Sequence, residues 1–169
     1  LARLGSYFYG YGDEGMEMVV ARLLLSQGRT IALAESCTGG LISHKLTSVP
    51  GSSGDYIQGA VTYSNTAKES VLGVDPELLS QFGAVSEQVA QAMAIGVREW
   101  AGTDIGLSVT GIAGPGGGTE TKPVGLVYFG LSHADGAETH RRQFAGDRLQ
   151  VKERAALAAL DILRQHLRK

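Results

Sequence analysis

Apolar residues recur along this chain with the period of a helix in some stretches and run unbroken in others, and the two kinds of stretch alternate. From Asp13 to Ser26, Met16, Val19, Val20, Leu23 and Leu24 fall on one helical face, with Gln27-Gly28 as the stop. Thr30 to Ala34 reads as a buried strand. After the polar stretch Glu35 to Gly40, Leu41, Ile42, Leu46 and Val49 resume helical spacing until Pro50-Gly51. Residues 59–63 predict a second strand, and Lys68 to Leu72 a short helix stopped by Gly73. Asp75-Pro76-Glu77 opens a further helix, with Asp as N-cap and Pro in the first turn.

Ser86 to Val89 starts another helix, in which Val89, Met93, Val97 and Trp100 recur every three or four residues and are all expected in the core. Ile105 to Val109 predicts a third strand, Val124 to Ser132 a long fourth, and the stretch from about Glu138 to Phe144 a polar edge strand. The last helix is expected from about Asp147 to Leu167. Its apolar face is Val151, Ala155, Leu157, Ala158, Leu160 and Leu163, with Arg164, Arg168 and Lys169 suited to its C-terminal end. This alternation predicts an α/β fold, a sheet covered by helices on both faces, and the meander of the last two strands makes that sheet mixed. No repeat and no low-complexity linker divides residues 1–169, so a single domain is expected.

Charge narrows the partners. Fifteen Lys and Arg stand against 17 Asp and Glu, a net charge of -2, and Arg141-Arg142 is the one notable basic pair outside the C-terminus. That balance argues against direct nucleic-acid binding. No apolar run approaches the roughly 18 residues a membrane span needs, so no membrane partner is expected. The single cysteine, Cys37, excludes an internal disulfide and fits a reducing, cytoplasmic setting. Leu1 to Tyr11 carry neither a signal pattern nor an initiating Met, and the chain is expected to be a fragment of a longer one. A homo-oligomer, a dimer in the first instance, is expected.

The 24 glycines are about twice the usual ~7%, and they cluster where strands end. The segment Ala34-Glu35-Ser36-Cys37-Thr38-Gly39-Gly40 lies between a buried strand and a helix, where open α/β sheets place ligands. Ser36 or Thr38 read alone as simple N-caps; Gly39 and Gly40 additionally allow the backbone to approach an anion or an acyl oxygen. The second cluster holds five glycines between Gly111 and Gly118, again after a strand. Gly117-Gly118 stand where a Walker A loop needs Lys and Ser or Thr, and Thr119 stands where a dinucleotide fingerprint needs Gly. A flexible loop or an anion-cradling nest remains.

His44, His133, His140 and His166 are scattered without metal-ligand spacing, so solvated or packed histidines and no metal site are expected, and no cofactor. Gly-x-Ser-x-Gly does not occur at Ser36, and no nearby histidine suggests a triad. A serine can instead be activated by a lysine of lowered pKa. Lys68, just beyond the second strand, could reach the sheet edge that carries Ser36, although its spacing also fits an ordinary surface lysine. Cys37 is a rival nucleophile by chemistry and a small buried filler by habit.

Seven segments together resemble the C-terminal domain of the competence/damage-inducible CinA family, whose stand-alone relatives are the nicotinamide-nucleotide amidases called PncC. They are AESCTGG at 34–40, VPGSS at 49–53, VTYSNTAKE at 61–69, LGV at 72–74, GAVSEQVA at 83–90, SVTGIAGPGGG at 108–118 and KPVG at 122–125. The resemblance implies a three-layer α/β/α sandwich with a mostly parallel sheet. It also implies hydrolysis of the carboxamide of nicotinamide mononucleotide to nicotinate mononucleotide and ammonia. Ser36 falls on the family's nucleophile and Lys68 on its general base, and Tyr63 and Thr110 fall on further catalytic-site positions. Thr38, Gly39, Gly40, Gly111, Gly114 and Gly116 match its substrate-lining turns, with amides near Gly39 and Gly40 expected to hold the oxyanion. A site arginine belongs to the last helix, Arg148 by preference and Arg154 as competitor. Many relatives carry an additional N-terminal domain, and some are not active amidases. The competing expectation is therefore a non-catalytic nucleotide-binding or partner-docking module in competence or DNA-damage responses.

Overall fold

The computed structural model describes residues 14–169; the predicted start at Asp13 and the segment Leu1 to Tyr11 lie outside them. Five strands, β1 (Ile31–Glu35), β2 (Tyr56–Val61), β3 (Ile105–Gly111), β4 (Leu126–His133) and β5 (Gly136–Gln143), form one sheet in the order β2-β1-β3-β4-β5. β1 pairs in parallel with β2 and β3, and β4 runs antiparallel to both β3 and β5. Among the described residues six α-helices cover the sheet: α1 (Met16–Gln27), α2 (Leu41–Thr47), α3 (Asn65–Leu72), α4 (Pro76–Phe82), α5 (Glu87–Ala101) and α6 (Arg148–Leu167). α1, α2 and α6 pack on one face and α3, α4 and α5 on the other, which makes a three-layer α/β/α sandwich with a mixed sheet.

The two faces are built differently. Toward α6 the strands present large side chains, including Ile31, Leu33, Leu107, Val109, Phe129 and Leu131, all at most 2% exposed, against Val151, Ala155, Ala159, Leu160 and Leu163. Toward α5 they present small ones. A side chain at Gly130 would stand 2.3 Å from the carbonyl oxygen of Ala90, and Ser108 Oγ donates to that same oxygen at 2.5 Å. Helix α5 therefore sits directly on the sheet, filling the layer with Val89, Met93 and Val97.

Two core expectations fail. Trp100 is 48% exposed and Leu157 40% exposed. Arg98 Nε reaches the Asp104 carbonyl just ahead of β3, so the last turn of α5 lies at the end of the sheet, where Trp100 stays half exposed. Leu157 lies on the exposed side of α6, while Arg164, read as suited to the helix's C-terminal end, is 1% exposed and pairs with Asp161 at 2.7 Å. β2 begins at Tyr56, three residues before the predicted strand, because it is a half-buried edge strand and no unbroken apolar run marks its start. Helix α3 starts at Asn65, where Ser64 Oγ caps the N–H of Ala67 at 3.1 Å.

β1 is the switch point. The chain leaves it toward β2 on one side, and β3 returns on its other side, which opens a crevice at the C-terminal ends of β1 and β3. No described helix is long and apolar enough to cross a membrane.

Candidate active site

Ser36 is the first residue after β1, and its N–H donates to the Val109 carbonyl at 3.0 Å, so the serine leaves the sheet at a fixed height beside β3. β2 ends alongside. The N–H of Thr62 donates to the Glu35 carbonyl at 2.9 Å, which ties the start of the β2–α3 connection to the residue before the serine. Lys68 lies in the first turns of α3, and helical side chains tilt toward their own N-terminus, so its ammonium-bearing stem folds back over these strand ends. Lys68 Nζ lies 3.2 Å from Ser36 Oγ and 2.8 Å from the Thr62 carbonyl oxygen. The side chain is 1% exposed, and burial lowers its pKa from the ordinary lysine value of 10.5.

Around this pair lies a cleft of about 260 Å³ lined by Ser36, Cys37, Tyr63, Lys68, the Ala84–Val85 turn, residues 111–114, Gly116, Gly117 and Arg148. Arg148 opens α6 and reaches across it. Its Nη1 donates to the Gly114 carbonyl and its Nη2 to the Tyr63 hydroxyl, each at 2.7 Å, which bridges the β3 loop to the end of β2. Arg154 points elsewhere, donating through Nη1 to the Ala145 carbonyl. Of the two candidate arginines, the cleft has Arg148.

Other expected members stand behind the wall. Thr110 is 1% exposed, and its Oγ1 donates to the Ala84 carbonyl at 2.8 Å, which holds the Ala84–Val85 turn in place. Thr38 is fully buried and donates to Glu35 Oε2 at 2.6 Å. The amides expected to meet an oxyanion are already engaged: Gly39 N–H donates to the Ser36 carbonyl at 3.1 Å, and Gly40 N–H to Glu35 Oε2 at 3.0 Å. Gly39 and Gly40 have φ of 64° and 93°, so the left-handed turn accounts for both glycines without a ligand.

Glu35 carries this arrangement, and sequence reasoning passed over it. Its carboxylate, 1% exposed, accepts from Thr38 Oγ1, Gly40 N–H, Ile42 N–H, Ser43 N–H and Ser43 Oγ at 2.6 to 3.2 Å. The N-terminus of α2 is therefore satisfied from inside the protein, and the turn that presents Ser36 is locked against it. The signal was a lone acid at the end of an otherwise apolar strand, a position where charge survives only with full hydrogen bonding.

Cys37 is 5% exposed, and burial pushes its thiol up to about 12, offset in part by the amides of Cys37 and Thr38 that face the sulfur. It stays a neutral thiol at physiological pH. The scattered histidines form a group after all: His133, Glu138 and His166 each offer a ligand atom within 4.8 Å of the others, at the opposite end of the sheet.

An open mixed sheet with a cleft at its switch point defines an α/β domain of the kind that places ligands at strand ends. The chain belongs to the CinA C-terminal domain family, whose model matches residues 13–167. It is 52% identical over 165 residues to a CinA-like protein of Kosmotoga olearia and 50% identical over 164 residues to one of Acidobacterium capsulatum. These matches cover 98% and 97% of this chain but 40% of each relative, so the chain spans about two fifths of the curated relatives' length. Among solved structures, a competence damage-inducible protein A from Klebsiella pneumoniae superposes with a TM-score of 0.88 at 39% identity, covering 90% of this chain and 95% of that one. A CinA superfamily protein from Escherichia coli gives 0.84 at 31% identity, covering 96% and 98%.

Proposed function

We propose that this domain is a Ser-Lys amidohydrolase that converts nicotinamide mononucleotide to nicotinate mononucleotide and ammonia. The observation that carries the reading is the buried Lys68 Nζ at 3.2 Å from Ser36 Oγ. A neutral amine there keeps an N–H for the Thr62 carbonyl and turns its lone pair to the serine hydroxyl. Lys68 takes the Ser36 proton as Oγ attacks the carboxamide carbon. The attack leaves a tetrahedral oxyanion at the strand end beside Ser36. Lys68 then gives its proton to the departing nitrogen, ammonia leaves, and a nicotinoyl ester remains on Ser36. Water attacks that ester, Lys68 accepts its proton, and nicotinate mononucleotide departs as Oγ is reprotonated.

The nucleotide end is read at the rim. Arg148 uses one nitrogen for Gly114 and one for Tyr63, and its remaining N–H groups fork toward a phosphate beside Gly116 and Gly117. Incubating the protein with nicotinamide mononucleotide tests the reading: ammonia and nicotinate mononucleotide appear in equal amounts. Substrate recovered unchanged after prolonged incubation with the folded protein would refute it.

A further inference from the structure

The end of the molecule opposite Ser36 holds a larger cavity, about 360 Å³, bordered by Arg29, His133, Asp135, His166 and Lys169 among others. Three chain segments meet there: His133 ends β4, Glu138 lies early in β5, and His166 lies in the last turn of α6. The imidazoles of His133 and His166 have centroids 4.5 Å apart at 39°. His166 Nδ1 and His140 Nε2 each lie 3.9 Å from Glu138 Oε1. Both nitrogens are buried without a hydrogen-bond partner. Buried ring nitrogens are ordinarily satisfied, and His166 Nδ1, unpartnered and turned toward the Glu138 carboxylate, marks a place for a group that bridges the two.

We propose that His133, Glu138 and His166 bind one divalent transition-metal ion, zinc by the nature of the donors. Imidazole nitrogen and carboxylate oxygen are the ligands zinc shares with its open, three-residue sites. Bonds of about 2.0 to 2.2 Å place tetrahedral ligand atoms roughly 3.3 Å apart. The three donors already lie within 4.8 Å of one another, so side-chain rotation of about an ångström closes the set. His140, two residues along β5 from Glu138, lies 3.9 Å from the same carboxylate oxygen and stays outside the ligand set. Lys169 Nζ, 3.7 Å from Glu138 Oε1, is the competing cation; its side chain is 69% exposed and free to swing into water.

Bound there, the ion fastens the C-terminal turn of α6 to the β4–β5 hairpin. β3, seven residues long, separates this place from the serine cleft by on the order of 20 Å, so its effect is on stability and not on the chemistry at Ser36.

The test is a zinc titration of the untagged protein after chelator dialysis, against a chromophoric competitor, with cobalt as spectroscopic probe. One zinc per chain at micromolar or tighter affinity is expected, with a rise in Tm and visible cobalt absorption of a four-coordinate site. His133→Ala, Glu138→Gln and His166→Asn each weaken binding by at least about tenfold and abolish the Tm rise. His44→Ala and Cys37→Ala leave binding unchanged. Substoichiometric or millimolar binding by the wild type overturns the proposal without recourse to any variant. Equal zinc affinity in the folded His133→Ala and Glu138→Gln variants overturns it as well.

Discussion

Lys68 Nζ and Ser36 Oγ lie 3.2 Å apart although 32 residues separate them, and the thread between them is the parallel pairing of β2 with β1. A base at that distance must be an amine and not a guanidinium. Lys68→Arg keeps a cation and removes the lone pair, so kcat falls by about two to four powers of ten while the fold persists. In the wild type, kcat rises with pH through the lowered lysine value and levels off below pH 10.5. A pH–rate profile that declines across this range, or a Lys68→Arg variant with the wild-type rate, contradicts the assignment.

The same lysine makes stability depend on pH. Its folded pKa is depressed by burial, so between that value and 10.5 the unfolded chain holds a proton that the folded chain does not. Stability therefore rises with pH across this window, and the desolvation penalty is fully present below it. Urea midpoints of the wild type and Lys68→Met, compared at neutral and at alkaline pH, show the wild type gaining relative to the variant as pH rises. A constant difference would mean that Lys68 titrates alike in both states.

Glu35 holds the turn that presents Ser36. Its removal strands five donors, two of them hydroxyls, and each buried donor left unpaired costs about 1 to 3 kcal/mol. Glu35→Ala lowers stability by at least about 3 kcal/mol in urea unfolding. Glu35→Gln retains the shape, and because Arg148 is untouched it lowers kcat with little change in KM. A variant whose KM rises while kcat holds would place Glu35 in binding and not in positioning.

In the proposed reaction Arg148 distinguishes substrates by their phosphate. Arg148→Lys keeps a charge but loses the fork, and kcat/KM on nicotinamide mononucleotide falls by about one to two powers of ten. On nicotinamide riboside, which lacks the phosphate, wild type and variant perform alike. Equal losses on both substrates would show that the arginine serves the walls of the cleft through Tyr63 and Gly114 alone. A chelator leaves turnover unchanged, since the one group of metal-ligating residues among the described residues lies at the far end of the sheet.

Periodicity revealed the layers because the buried faces of α1, α5 and α6 follow helical spacing over many residues. It failed at Trp100 because spacing along a helix does not say where the sheet beneath it stops. Ser36 and Lys68 were visible as candidates from their places at two strand ends, but whether the lysine was buried depended on which side of β1 the second strand would pair. That Thr38, Gly39 and Gly40 are engaged within the protein was not legible, because their partners, the Glu35 carboxylate for Thr38 and Gly40 and the Ser36 carbonyl for Gly39, are set by the folded turn. The histidine cluster had no local signal at all, since its three members lie on three elements that only the closed fold brings together.

The most direct measurement of the central claim is ammonia release from nicotinamide mononucleotide by the wild type, Ser36→Ala and Cys37→Ala at equal protein concentration, with folding of each checked by circular dichroism. Wild type and Cys37→Ala release ammonia and Ser36→Ala does not, because the buried thiol, raised to about 12, takes no part in the attack. Ammonia release by Ser36→Ala at the wild-type rate, or its loss in a folded Cys37→Ala alone, would contradict the account.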